Sequence, residues 1–168
     1  MKRFLIRASL AGMLLAATPA LADGKIYVQL PDLSGITGTQ AEDFLQQVVL
    51  ANIISSNCTG YEVSEEEWSL LTDSADILSH QMGLTTDEYV EKYETPAFKA
   101  LDEAGICEDQ GPHVQPILDE LVALGGSREA LPDQEAAYTE WRAMQDYWDA
   151  GGVGMPPAAG STGKSKTK

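Results

Sequence analysis

The chain reads as all-α: a small irregular bundle of about five or six helices, closed by one intrachain disulfide and preceded by a short extended segment. Three observations lead there. Apolar residues recur at spacings of three and four in successive stretches, and each stretch is bounded by a capping pattern, a glycine or a proline. Only one short run, Lys25 to Leu30, has strand character, and one strand without a partner makes no sheet. The two cysteines, Cys58 and Cys107, bracket the middle of the helical region.

The first 22 residues have the form of a secretory signal. Lys2, Arg3 and Arg7 precede an apolar run around Leu10 to Ala17, and Ala20-Leu21-Ala22 supplies small residues where a signal peptidase reads. The run is too short and wrongly flanked for a retained transmembrane helix, so no stable membrane insertion is expected after its removal. The residue after the expected cleavage point is Asp23, which offers no cysteine for a lipid anchor. Export places the thiols in an oxidising compartment, where two cysteines allow one pairing, Cys58 with Cys107. Closing 49 residues of chain removes unfolded-state entropy worth about 4 kcal/mol. No Cys-x-x-Cys redox or haem-attachment spacing is present.

Residues 23–38 form the extended N-terminal segment. Lys-Ile-Tyr-Val-Gln-Leu at 25–30 is stopped by Pro31; it lies along the helical body or stays mobile, and the alternative is that its apolar residues dock on another protein. A single helical domain is expected over 39–150. Thr39-x-x-Glu42 fits a capping box, and Phe44, Leu45, Val48, Val49, Ala51 and Ile53 give a broad apolar face for a mostly buried helix at about 40–57. Thr59-Gly60 ends it. Asn57-Cys58-Thr59 matches a glycosylation pattern, but a bacterial envelope is the expected setting and no glycan is assigned.

Ser64-x-x-Glu67 is a second capping box, with Glu65 and Glu66 in the first turn, where exposed amide groups favour negative charge. Trp68, Leu71, Ala75, Leu78 and Met82 follow on one face to Gly83, giving a helix at about 65–82. His80 and Met82 point apart on a helix, so the methionine is expected in the core and the histidine at the surface. Thr85-x-x-Glu88 opens a short segment through Tyr93. Thr95-Pro96 looks like a fresh start, with Phe98 and Leu101, and Ala97 as a further candidate, packing a helix that Gly105 closes. Glu108 to Pro112 reads as a polar turn. Ile117, Leu118, Leu121, Val122 and Leu124 form the apolar side of the next helix, up to Gly125-Gly126.

The last helix starts near Pro132 and runs to about Ala150. Ala137, Trp141, Met144 and Trp148 fall on one stripe, widened by Tyr138 and Tyr147. Core packing accounts for such a stripe, and the same residues, Tyr138, Trp141, Met144, Tyr147 and Trp148, are the sequence's candidate interaction surface. Residues 151–168 are a flexible Gly/Pro-rich tail with a basic end. Gly163-Lys164-Ser165 resembles the end of a phosphate-binding loop, but Ala158 stands where its first glycine belongs.

Charge narrows the partners. The 168 residues hold 26 acidic and 11 basic side chains. Three basic residues lie in the signal and three, Lys164, Lys166 and Lys168, in the tail. The body from Asp23 to Ala150 therefore keeps five, for a formal charge of −21. Such a surface repels nucleic acid and anionic lipid and suits an envelope protein partner with a basic surface.

The residues define no catalytic constellation, metal site or cofactor motif. His80 and His113 are the only histidines and have no ligating or hydrolase spacing. The expected role is that of an exported acidic, non-enzymatic binding or accessory interaction protein, periplasmic or else secreted. A structural or stress-related envelope protein is the alternative, and a hydrolase with an unrecognised carboxylate site is the third reading.

Overall fold

A computed structural model describes residues 24–156. The signal reading at 1–22 and the basic end of the tail lie outside the described residues. Within them the chain is helical, with no named strand, and Cys58 is bonded to Cys107 with their Cα atoms 5.5 Å apart.

Helix α1 (Thr39–Asn57) is the central element. Its Leu45, Val48 and Ile54 have no solvent exposure and meet Leu70, Leu71, Ile77 and Leu78 of α2 (Glu65–Gln81) in one apolar cluster. Sequence and structure part at the start of α1. Thr39 is the first helical residue and makes no capping bond. Gly38 holds the cap position at φ 59°, and Ala41 and Glu42 donate to its carbonyl. Glycine reaches that backbone region without Cβ strain, so the left-handed entry displaces the expected capping box. For α2 the expectation holds in detail: Ser64 accepts from the Glu67 amide, and the Glu67 carboxylate accepts from Ser64. Gly83, at φ 69°, follows the helix end.

The second capping box, Thr85 with Glu88, is also formed and starts α3 (Thr86–Tyr89). The chain does not break at Thr95-Pro96 as its sequence suggests. It runs on through a π-helical turn (Val90–Glu94) into α4 (Thr95–Ala100). Pro96 has no N–H, and its ring would strike the carbonyl four residues back in a continuous α-helix. The wider register relieves this, with the Thr95 amide donating to the Val90 carbonyl five residues earlier. One extra residue in a turn rotates everything after it by about 100°. Ala97 therefore faces the core, and Phe98, expected to pack inward, is 52% exposed.

The expected polar turn after Cys107 is helical instead. Gly105, at φ 86°, starts α5 (Ile106–Gln110), and a 3₁₀ turn (Gly111–His113) leads into α6 (Val114–Ala123). Pro112 and Pro116 sit at helix starts, where a missing N–H costs little. A Cβ on Gly111 would fall 2.3 Å from the Tyr61 ring, so a larger residue here requires that ring to move. In α6, Val114, Ile117, Leu118 and Leu121 close the third side of the core. Asp133 caps α7 (Gln134–Asp149) by accepting from the Ala136 amide.

The N-terminal segment lies along the body as a strap over α2, α7 and the loop between α6 and α7. Tyr27 and Val28 are each 3% exposed. Val28 forms an isolated antiparallel bridge with Ala130, and the Ser127 and Leu131 amides donate to Gln29 and Tyr27 carbonyls. Gln134 supplies the missing strand partner with its side chain: Oε1 accepts from the Tyr27 amide at 2.8 Å, and Nε2 donates to the Tyr27 carbonyl at 2.8 Å. Arg128 ties the same loop to α2 and α6 through Glu67 at 3.0 Å and Asp119 at 2.6 Å.

Candidate interaction surface

The aromatic stripe of α7 is largely occupied within the chain. Trp148 is buried and stacks on His80 with ring centroids 4.1 Å apart, and its indole N–H donates to the Gly154 carbonyl at 2.6 Å. Burial there lowers the His80 pKa from its ordinary value. Met144 is also in the core. Tyr147 is half-buried, and its hydroxyl donates to the Val153 carbonyl. Trp141 is half-buried under the strap, with Lys25 Nζ 4.4 Å from its ring centroid and the Tyr27 ring 5.9 Å away. Tyr138, in edge contact with Tyr27, is 37% exposed. The stripe thus fastens the strap and residues 151–154 to α2, leaving Tyr138 as its exposed member.

Large apolar side chains face outward elsewhere. Trp68 is 39% exposed on the first turn of α2, Val90 is 39% exposed on the π turn, and Phe98 is 52% exposed on α4. Trp68 and Phe98 line one slot of about 180 Å³ with Val49, Ile53 and Ala75. Asn52 stiffens its wall by donating to Thr72 Oγ1 at 2.7 Å, and Glu94 and Tyr89 complete it. On its other side Trp68 borders a wider cleft of about 650 Å³, whose polar lining includes Ser55, Ser56, Glu62 and Glu65. Trp68 is common to both recesses, so the slot with Phe98 and Glu94 adjoins the cleft lined by Glu62, Glu65 and Lys25. The sequence reading missed it because Trp68 falls on the same helical stripe as the core residues Leu71 and Leu78.

A buried polar seam runs behind this surface. Asp73, 1% exposed, accepts from Lys25 Nζ at 2.5 Å, which fixes the start of the strap to α2. Burial raises the Asp73 pKa, and Lys25 acts against that rise. Asp76, one turn on, is pushed up to about 6, first by burial and then by the negative charge of Asp73; Lys25 lowers it and Glu94 raises it. Tyr89 is raised by burial, with Glu94 and Asp76 adding to the shift. Asp73 and Asp76 thus share the field of one ammonium, and the proton on Asp76 relieves the repulsion between them as pH falls.

Among the described residues no group of three or more His, Cys, Asp and Glu side chains is placed to hold a metal ion, and no helix is long and apolar enough to cross a membrane. His113 approaches Gln110, and both cysteines are in the disulfide. The available chemistry on the outer face is recognition: apolar burial on Trp68 and Phe98, and cation pairing by the flanking carboxylates. No known protein family, curated protein or solved structure matches the chain.

Proposed function

We propose that the protein is an exported, non-enzymatic binding protein, periplasmic in location, which docks a basic envelope partner on the Trp68–Phe98 face. The observation that carries the reading is the pairing of exposed Trp68 and Phe98 across a preformed slot on a strongly acidic body. Aromatic side chains seated beside a pocket are what interfaces use as anchors, and carboxylates around them favour lysine or arginine on the partner. The secretory pattern at residues 1–22 and the disulfide support an oxidising compartment.

The test is stoichiometric capture from the native envelope, using Trp68→Ala, Phe98→Ala and, as a control at an exposed aromatic that does not line the slot, Tyr138→Ala. The first two should each weaken partner retention at least tenfold, and high salt should weaken it further. Tyr138→Ala should leave it within twofold. Equal retention by all three variants would refute this face, and a partner whose contact surface is acidic would refute the charge argument.

A further inference from the structure

We propose, building on the docking face above, that its two recesses read one short segment of the partner: an apolar side chain seats in the slot, and an arginine or lysine seats against the Trp68 indole in the adjoining cleft. The slot measures about 180 Å³ and is walled by Val49, Ile53, Ala75 and Phe98. That is below the roughly 300–1,000 Å³ of small-molecule sites, and it gives room for one side chain. Trp68 is the residue common to slot and cleft. With a single side chain between the recesses, their two occupants lie within about three residues of each other in an extended segment, at about 3.3 Å per residue.

The chemistry of the cleft favours a cation. Glu62 and Glu65 line it, both exposed, and the lining ammonium, Lys25, is already paired with Asp73. Ser55 and Ser56 belong to the last turn of α1, where the helix dipole is negative and no basic residue of the helix answers it. The positive end of α2 is closed by its own capping box, Ser64 with Glu67. Trp68 adds an indole, the aromatic ring that holds cations best. The protein uses this combination once internally: Lys25 Nζ lies 4.4 Å from the Trp141 ring centroid and is paired with Asp73. Trp68 with Glu62 and Glu65 offers the same groups, an indole beside carboxylates, on an open surface. An acidic or neutral residue in that place gains neither contact.

Random dodecapeptides displayed on phage, panned against the protein with its disulfide intact, test this without the native partner. The retained peptides should share a leucine, isoleucine, methionine or phenylalanine and an arginine or lysine within about three positions of it. In a fluorescence-polarisation assay with one such synthetic peptide, citrulline for its arginine, or norleucine for its lysine, removes the charge and keeps the carbon chain. That change should weaken binding about five- to tenfold, the scale of one cation–indole contact supported by exposed carboxylates. In Glu62→Gln combined with Glu65→Gln, both at exposed positions, the same change should cost less than about threefold. Phe98→Ala should weaken the peptide at least tenfold, and Tyr138→Ala should leave it within twofold. Peptides that depend on Trp68 and Phe98 but carry no basic residue, or whose loss on charge removal is the same in wild type and in the double glutamine variant, would overturn the proposal while the docking face stands. Peptides indifferent to both Trp68→Ala and Phe98→Ala would overturn the two together, and enrichment of no peptide would overturn the reading of a short segment.

Discussion

Replacing Asp76 by asparagine should stabilise the protein at neutral pH and do little in acid. Asp76 titrates at about 6 in the folded chain, against 3.8 for an ordinary aspartate, because burial and the Asp73 charge disfavour its ionised form. Its folded pKa lies above the unfolded value, so the native state holds the proton more tightly. The stabilisation belonging to the protonated form is fully present below about pH 4 and is lost as pH rises through 6. The difference of about 2 units, at about 1.36 kcal/mol each, sets a ceiling near 3 kcal/mol. Residual solvent contact of this half-buried side chain brings the expected gain of Asp76→Asn to about 1–3 kcal/mol at pH 7.5. For a chain of this size that corresponds to a rise in Tm of about 3–10 °C. Thermal and urea unfolding followed by circular dichroism, with wild type and variant side by side at pH 4 and 7.5, read the difference directly. Asparagine keeps the shape, and comparison at each pH removes the contribution of other groups. A variant that is destabilised at pH 7.5, or a gain of the same size at both pH values, would refute the reasoning.

The strap and the clasp give further tests. Lys25→Met leaves the Asp73 carboxylate buried without its ammonium and should cost about 3–5 kcal/mol at pH 7.5, with faster hydrogen exchange at the Tyr27 amide; Lys25→Met combined with Asp73→Asn should recover much of the loss. Failure of the double variant to recover stability would mean that the pair does not act as a unit. Reduction of Cys58–Cys107, or replacement of both cysteines by alanine, should lower stability by about 4 kcal/mol in urea titrations, as expected for a 49-residue closure. An unchanged urea midpoint would contradict that estimate.

Much of the fold was legible because local signals and burial agree. Ser64 with Glu67 and Thr85 with Glu88 are formed capping boxes, and the apolar spacing after Phe44 and after Ile117 marks buried faces. The disulfide followed from the secretory pattern read at residues 1–22 and an even cysteine count. What escaped depends on contacts distant in sequence or on register. The strap is held by Gln134, 107 residues away, a polar side chain with no pattern that announces it. The π turn before Pro96 shifts helical phase, so of the candidates that periodicity offered for the core Ala97 is buried and Phe98 is exposed. Trp68 shows the limit of a stripe: it shares the phase of Leu71 and Leu78 yet is 39% exposed, so helical phase alone does not fix burial. On α7 the ambiguity between core and surface was intrinsic, since the partners that bury Trp148 and cover Trp141 are His80 and Lys25, both polar.

The proposed docking of a partner on the Trp68–Phe98 face is open to a direct test. The most direct measurement places a photo-crosslinking amino acid at position 98 and, separately, at position 138, irradiates the native envelope, and maps the products by mass spectrometry. Position 98 should yield one dominant adduct, joined to a lysine- or arginine-rich surface and lost in Trp68→Ala, while position 138 yields none at comparable level. A dominant adduct from 138 with none from 98, or no adduct from either, would contradict the account.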